Sequence, residues 1–233
     1  DPLQIYPGYA PEEIGLLEAF PRVEALPERG FVVDSFGIRT RVEYFPAFAH
    51  LEGKVVGRPL PPSPPLQSDT VEYLGVLKSV ITASSRFAAL EVGAGWGSWI
   101  VFGGVAARHR GIEEIRLYGV EADPEHVAFM RRHLQDNGFS PNDHTLIHAA
   151  VGSAGGRTRF PRAIDASADW GARPFFDRVS GIDYRGFAVD ATFEVEILAL
   201  KDLLAREQVW DLVHIDVQGT ETSLCASAIH ELG

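Results

Sequence analysis

Three glycines and an acidic residue follow one another at a spacing that suits ligand binding. Gly93, Gly95 and Gly97 come directly after an apolar run, and Glu91 stands two residues before the first of them. Glycines after a strand let the backbone turn sharply and bring main-chain N–H groups at a helix start against a ligand, where the helix dipole favours an anion. The dinucleotide-binding pattern requires a glycine at position 98, where this chain has Ser98. The loop therefore indicates a small-molecule site without naming the ligand.

A second acidic residue, Glu121, ends the next apolar segment. A carboxylate at the tip of the strand beside a glycine loop can accept hydrogen bonds from both hydroxyls of a ribose. Asp123 fits the N-cap of the following helix, with Pro124 at the first helical position. This assignment leaves Glu121 available for a ribose.

A histidine and an aspartate stand in a third apolar segment near the end of the chain. Strand alternation places His214 and Asp216 on one side, with Asp216 at the carboxyl end, where open parallel sheets bind their ligands. A single histidine inside an apolar strand is more often a satisfied core residue than a catalyst. Asp216, followed by a turn that contains Gly219, is better placed for chemistry.

Apolar strands that alternate with helices position these residues, and this alternation predicts an α/β fold with a parallel sheet buried on both faces. The predicted strands are 87–92, 115–121, 145–151 and 212–217. The predicted helices are 71–80, 96–109, 124–137, 201–206 and 220–232. Alternation over 30–46, with a turn near 35–37, predicts a β-hairpin.

The chain divides into three parts by composition. Residues 1–58, with the hairpin, form an N-terminal accessory region, residues 59–65 form a proline-rich linker, and residues 66–233 form the ligand-binding domain. The stretch 160–193 is long for a connection and is a candidate substrate segment. Its aromatic and arginine side chains either bind an acceptor molecule or form a small core within the segment itself. They are Phe160, Trp170, Phe175, Phe176, Tyr184, Phe187 and Phe193, with Arg162, Arg173, Arg178 and Arg185.

The overall charge argues against a nucleic-acid partner. The 233 residues carry 21 Lys and Arg against 32 Asp and Glu, a formal charge of −11, without a basic cluster that could neutralise phosphates. The single cysteine, Cys225, excludes an internal disulfide and fits a reducing compartment, so we expect a cytoplasmic protein. The apolar runs are too short to span a membrane. Because the chain opens at Asp1 and its only methionine is Met130, we expect a trimmed product.

Taken in order, these segments resemble an FkbM-type methyltransferase, a family of the class I methyltransferases that use S-adenosylmethionine. The segments that carry the resemblance are Glu91–Gly97, Tyr118–Asp123, His148–Gly152, Leu200–Leu204 and Asp211–Glu221. The glycine loop and Glu121 are common to the whole superfamily. The resemblance is narrowed to the FkbM type by the Ala-Val-Gly run at 150–152 and by the Asp-Val-Gln-Gly-x-Glu segment at 216–221. The resemblance covers about residues 66–233.

The resemblance implies a Rossmann-like class I methyltransferase fold, a three-layer sandwich around a mostly parallel sheet. Such a sheet has seven strands in the order 3-2-1-4-5-7-6, of which this chain supplies the first four, so we expect a domain that lacks its C-terminal strands. The strand 212–217 would then be an edge. Either the N-terminal hairpin or another chain, in a homo-oligomer, would cover it.

The resemblance also implies roles for individual residues. Along the methionine part of the cofactor lie Gly93, Ala94, Gly95 and Trp96, and Glu91 is a further cofactor-binding residue. Glu121 holds the ribose, and the adenine is bordered by Ala122, His148, Ala149 and Ala150. Asp216 lies near the sulfonium and acceptor and is the first candidate base, with His214 the second. No ligand cluster at metal spacing stands out. Where this chain has His214 the family usually has lysine, and where it has Gln218 the family usually has glutamate. These two departures put full activity in question.

The expected function is O-methylation of a hydroxyl on a sugar, a glycan or a secondary metabolite, with S-adenosylmethionine as cofactor and a small-molecule or glycan acceptor as partner. One alternative is an NAD-dependent oxidoreductase on a related sheet, against which Ser98 counts. The other is a non-catalytic module that binds S-adenosylmethionine, an alternative motivated by His214 and Gln218.

Overall fold

The computed structural model describes residues 13, 15–16, 20, 23–57, 67–174, 185, 189 and 191–232. The strands in this part of the chain are β1 (Phe31–Asp34), β2 (Arg39–Arg41), β3 (Lys54–Val56), β4 (Arg86–Val92), β5 (Glu114–Glu121), β6 (Thr145–His148), β7 (Ala150–Gly152), β8 (Gly156–Pro161), β9 (Thr192–Ala199) and β10 (Leu212–Ile215). The α-helices are α1 (Gln67–Thr82), α2 (Ser98–His109), α3 (Pro124–Asp136), α4 (Leu200–Leu204) and α5 (Glu221–Ser227). The predicted linker at 59–65 lies outside the described residues.

A four-stranded sheet in the order β10-β4-β5-β6 forms the centre of the molecule, and every pairing in it is parallel. The predicted α/β class with a parallel sheet is confirmed. Because parallel strands end at the same edge, the segments after β4, β5 and β10 meet there. Among the described residues β10 pairs with β4 alone, at the edge of this sheet. The hairpin of β1 and β2 pairs with β3 in a separate sheet and does not cover β10.

The largest difference from the predicted elements is a second sheet, in the order β7-β9-β8. The strand predicted over 145–151 breaks at Ala149, so that β6 joins the parallel sheet and β7 joins the second one. β8 and β9 are an antiparallel pair that the sequence prediction missed, although polar and apolar residues alternate over 192–197 in β9. β10 and α5 end at Ile215 and Ser227, earlier than predicted.

One continuous apolar core joins the hairpin to the parallel sheet. Leu74 and Leu77 of α1 pack in it with residues of α2 and α3, and Phe36 and Ile38 of the hairpin turn lie in the same cluster. The Phe36 ring meets the Phe102 ring of α2 edge-on, with centroids 4.9 Å apart. The N-terminal region is thus packed against the helices that flank the sheet. None of the described helices combines the length and apolarity needed to cross a bilayer.

The C-terminal end of α3 holds the free edge of β2. Asn137 Oδ1 accepts a hydrogen bond from the Arg39 backbone N–H at 2.9 Å, and Asn137 Nδ2 donates to the Arg39 carbonyl oxygen at 3.0 Å. Beside it, Arg41 forms an ion pair with Asp136 at 2.6 Å. The Asn137 amide therefore pairs with Arg39 as a neighbouring strand would, and it fixes the hairpin on α3.

We expect Asn137→Ala to destabilise the fold by about 2 kcal/mol, because it leaves the partly buried N–H and C=O groups of Arg39 without the Asn137 side chain as a partner. Asn142→Ala, at an exposed position in the following loop, is the matched control and should cost less than about 0.5 kcal/mol. Chemical denaturation of both variants measures the difference. Equal stabilities would show that Asn137 does not hold the hairpin.

Candidate functional site

A cavity of about 250 Å³ lies at the carboxyl edge of the parallel sheet. The predicted site residues that line it are Glu91, Gly93, Ala94, Gly95, Trp96, Glu121, Ala122, Ala149, Ala150, His214 and Asp216. His148 does not line the cavity. Its Nε2 is 2.9 Å from the Ala122 carbonyl oxygen, so His148 supports the loop after β5 from behind. The sheet thus brings together residues that are up to 125 positions apart.

The glycines after β4 are required by close backbone packing. Gly93, Gly95 and Gly97 all have positive φ angles, of 75°, 54° and 73°. A Cβ atom on Gly93 would lie 1.8 Å from the Asp216 carbonyl oxygen, a distance that no side chain can occupy. The glycine loop and the end of β10 are therefore in direct backbone contact. This contact forms the floor of the cavity.

Glu91 caps the helix that follows the glycine loop. Its carboxyl accepts hydrogen bonds from the Trp99 N–H at 3.3 Å and the Ile100 N–H at 3.0 Å, in the first turn of α2. The sequence predicted that N–H groups at this helix start would meet an anionic ligand. That prediction is wrong for these two groups, because Glu91 takes them. Burial raises the pKa of Glu91 to about 7, although His214 and the two N–H groups oppose the rise.

Glu121 orients the glycine loop as well as facing the cavity. Its Oε2 accepts from the Gly95 N–H and its Oε1 from the Asp123 N–H, each at 2.8 Å. Burial raises the pKa of Glu121, but the nearby His126 ring and these N–H groups lower it, and the net direction is downward. Glu121 is therefore an ionised carboxylate at neutral pH. Asp123 caps α3 as predicted, accepting from the N–H groups of Glu125 and His126.

A histidine and a tryptophan cover the Glu121 end of the cavity. His126 Nδ1 lies 3.9 Å from Glu121, and its ring stacks on Trp170 with centroids 4.0 Å apart and planes 8° apart. Trp170 also meets Trp96 edge-on at 4.6 Å and passes close to Gly95. The sequence analysis missed His126. Its position in the first turn of α3, directly after the Asp123 cap, is the only sequence signal that could have indicated it.

The loop after β10 holds Asp216 in place. The Asp216 N–H donates to the Val92 carbonyl oxygen at 2.9 Å, and Asp216 Oδ1 accepts from Gln218 Nε2 at 3.2 Å. Gln218 has a φ angle of 61°, and the following turn is closed by Glu221, which accepts N–H bonds from Val217 and Gly219. Burial raises the pKa of Asp216, an effect that the His214 charge opposes.

His214 has a partner that no sequence pattern indicated. Its Nε2 is 3.0 Å from Oε1 of Glu72, which lies on α1 and 142 positions earlier in the chain. The sequence analysis missed Glu72 because nothing in the spacing connects the two residues. No group of three or more His, Cys, Asp or Glu residues in the described parts of the chain could hold a metal ion.

The segment 160–193 serves the cavity and a small core together. Phe160 and Phe193 are paired across β8 and β9, with rings 5.7 Å apart in a cluster with Ala150 and Val195. Phe160 also lines the cavity, as does Trp170. The described arginines of this segment do not line the cavity, although two of them contact residues that do. Arg162 lies over the Phe193 ring, Arg173 donates to the Gln218 carbonyl oxygen, and Arg185 forms an ion pair with Asp169. Phe175, Phe176, Arg178, Tyr184 and Phe187 lie outside the described residues.

Acidic side chains outnumber basic ones around the cavity. The carboxyl groups of Glu91, Glu121, Asp169 and Asp216 line it together with the rings of His126 and His214, and the described lining residues include no lysine or arginine. Asp169 is paired with Arg185, which does not line the cavity. An anionic ligand would meet carboxylates on several sides. The cavity therefore suits a ligand that carries positive charge and apolar surface.

Replacement of the buried Glu91 by glutamine should change how stability depends on pH. The folded pKa of about 7 lies above the ordinary value of 4.5, so ionisation of Glu91 costs stability as the pH rises through this window. We expect Glu91→Gln to gain about 2 kcal/mol relative to the wild type between pH 5 and pH 8. Urea unfolding at both pH values tests this. Glu113→Gln, at an exposed carboxyl, is the control, and a Glu91→Gln curve parallel to the wild type would contradict the burial effect.

Two glycine variants separate backbone strain from steric clash. Gly111 has a φ angle of 78° with nothing within 4 Å of the position that a Cβ would occupy, whereas Gly93 has a similar φ and the clash with Asp216. Gly111→Ala should cost about 1 kcal/mol. Gly93→Ala should cost at least about 2 kcal/mol more, since the backbone must also move. Thermal and urea unfolding of both variants gives the comparison, and equal costs would mean that the two loops are not in contact.

One curated relative indicates the class of protein to which this chain belongs. A protein of Jannaschia sp. (strain CCS1) named "Putative methyltransferase" is 30% identical over 204 residues, which cover 87% of this chain and 72% of the relative. No family model matches the chain, and no solved structure matches it. The identity and coverage, together with the parallel sheet, show that the chain belongs to the methyltransferase family of this relative.

Proposed function

We propose that this protein is an S-adenosylmethionine-dependent methyltransferase that modifies a hydroxyl of a sugar, a glycan or a secondary metabolite. Membership of a methyltransferase family supports the reaction class, and S-adenosylmethionine is the usual methyl donor of such enzymes. The Ala-Val-Gly run at 150–152 and the segment Asp211–Glu221 support the finer FkbM-type assignment. They also support a cofactor-binding domain over residues 66–233, preceded by an accessory region over residues 1–58.

The observation that carries the proposal is the charge around the glycine loop. Glu91 already occupies the N-terminus of α2, which is where dinucleotide-binding folds place a pyrophosphate. Glu121 and Asp216 add negative charge on either side of it. A dinucleotide would bring its phosphates against these carboxyls, whereas S-adenosylmethionine brings a sulfonium and an ammonium group. The cavity thus favours S-adenosylmethionine over NAD.

The residues present fit the cofactor. Each oxygen of Glu121 accepts one backbone N–H, and an ionised carboxylate has about four acceptor positions, so two remain for the ribose hydroxyls. The methionine part would lie along the loop 93–96. Ala122, Ala149 and Ala150 form an apolar wall suited to the adenine, with His148 holding Ala122 from outside the cavity.

The chemistry left to the protein is alignment and proton removal. When bound, the cofactor supplies a methyl group already activated on a sulfonium. The cavity must hold an acceptor oxygen in line with that methyl and accept its proton. Asp216 and His214 stand at the carboxyl end of β10 for this task. The raised pKa of Asp216 makes its carboxylate a stronger base than a solvated aspartate.

Calorimetry with S-adenosylmethionine tests the proposal. Glu121→Ala should weaken binding by about 1.5 kcal/mol or more, roughly tenfold, because the ribose hydroxyls lose a charged partner. Glu125→Ala is the matched control, since it removes an exposed carboxyl four residues away and should bind as the wild type does.

Three results would contradict the proposal. The first is absence of S-adenosylmethionine binding at millimolar concentration, and the second is tighter binding of NAD. In the third, Glu121→Ala and Glu125→Ala bind equally, which would remove Glu121 from the ribose. Methyl transfer to a hydroxyl compound in a product screen with labelled S-adenosylmethionine would exclude the non-catalytic alternative.

A further inference from the structure

His214 faces acidic groups from three different elements. Its Nε2 is 3.0 Å from Glu72 of α1, and the register of β10 on β4 places it directly beside Glu91. Asp216 lies two residues later, directly after the end of β10, and the charges of all three acids act on the imidazole. The His214 side chain is 15% exposed and that of Glu72 33%. The His214 side chain is therefore largely enclosed, and the residue lines the cavity.

Packing fixes the position of Glu72. The neighbouring Tyr73 ring meets Trp99 edge-on at 5.1 Å and Phe102 edge-on at 4.8 Å, which holds this part of α1 on α2. The Trp99 ring in turn lies 5.6 Å from the His214 ring. The Glu72 carboxyl thus meets His214 from a helix held by aromatic contacts.

The hydrogen bond to Glu72 determines which imidazole nitrogen carries the proton. A carboxylate only accepts hydrogen bonds, so His214 Nε2 must be the N–H that donates to it. Nδ1 is then the nitrogen with a lone pair in the neutral ring. Nδ1 is buried and has no hydrogen-bond partner among the described residues. A buried polar atom of this kind is expected to pair with something, and His214 lines the cavity.

We propose that Glu72 is a positioning residue, which holds His214 as the Nε2–H tautomer so that Nδ1 accepts the proton of the methyl acceptor. This inference rests on the proposed function. The acceptor O–H bond breaks as its proton moves to Nδ1, and the oxygen electron pair forms the new bond to the methyl carbon. The electron pair of the broken carbon–sulfur bond stays on sulfur. Glu72 touches neither reactant and acts through His214 alone.

The same acids stabilise the imidazolium that results. Burial lowers the pKa of His214, but the Glu72 hydrogen bond and the charges of Glu91 and Asp216 raise it, and the net direction is upward. The neutral ring is the form that accepts a proton. Proton acceptance is therefore present above this raised pKa and is lost as the pH falls through it.

Histidine-labelled ¹⁵N NMR of the ligand-free protein tests the role of Glu72, with His214→Asn assigning the resonance. In the wild type we expect the Nε2–H tautomer. Glu72→Gln should keep this tautomer, because its amide oxygen still accepts, but lower the pKa of His214 by about one unit or more. Glu72→Ala should lose the tautomer preference as well. Glu113→Gln should leave both unchanged. An Nδ1–H tautomer in the wild type, or equal pKa values in wild type and Glu72→Gln, overturns the proposal.

A second measurement places His214 at the reacting centre. A protonated imidazole repels a sulfonium cation but not the neutral thioether of S-adenosylhomocysteine. The affinity ratio of S-adenosylmethionine to S-adenosylhomocysteine should therefore rise several-fold as the pH increases through the pKa of His214 that NMR measures. In Glu72→Gln the same rise in the ratio should occur at lower pH. An affinity ratio that does not change as His214 titrates would contradict the proposed position of Nδ1 near the methyl group. If neither ligand binds, the proposed function fails while the NMR result still decides the role of Glu72.

Discussion

The approach of the glycine loop to the end of β10 is the constraint on which the site depends. With the Asp216 carbonyl oxygen where the Cβ of any other residue at 93 would lie, the ends of two parallel strands are in backbone contact. His214 of β10 pairs in register with Glu91 of β4, and Asp216 directly follows β10. The residues proposed to bind the cofactor and those proposed to move the proton share one rigid edge, so neither set can shift without the other.

Buried carboxyl groups give this edge its selectivity. Glu91 satisfies the first turn of α2 from inside the protein, and Glu121 satisfies the N–H groups of the glycine loop. In a nucleotide-binding fold the ligand's phosphates perform such work. Here the protein performs it with its own acids, so a ligand in the proposed site would meet carboxyl groups in place of free N–H donors. Two glycine loops that look alike in sequence can therefore select ligands of opposite charge, according to which groups the helix N–H donors already hold.

The parallel sheet and most of the cavity lining were predictable from sequence because they depend on local patterns. Strand ends followed by glycine or by a capped helix locate Gly93, Glu121 and Asp216 without tertiary information. The strand break at Ala149 was not predictable, since 145–151 contains no glycine or proline and only the pairing of its two halves with different sheets divides it. The pairing of Glu72 with His214 was also not predictable, because it joins residues 142 positions apart. Contacts across such distances leave no trace in a single sequence.

Two different sheets contribute to the wall of the cavity. The stretch between Phe160 and Phe193 is anchored at both ends by the pairing of β8 with β9, and it contributes Trp170 to the cavity. The glycine loop, Glu121 and Asp216 belong instead to the parallel sheet. Changes in the anchored stretch can reshape the proposed acceptor side while the proposed cofactor side, built on the parallel sheet, keeps its geometry. The fold thus allows the proposed acceptor specificity to vary separately from the binding of the proposed methyl donor.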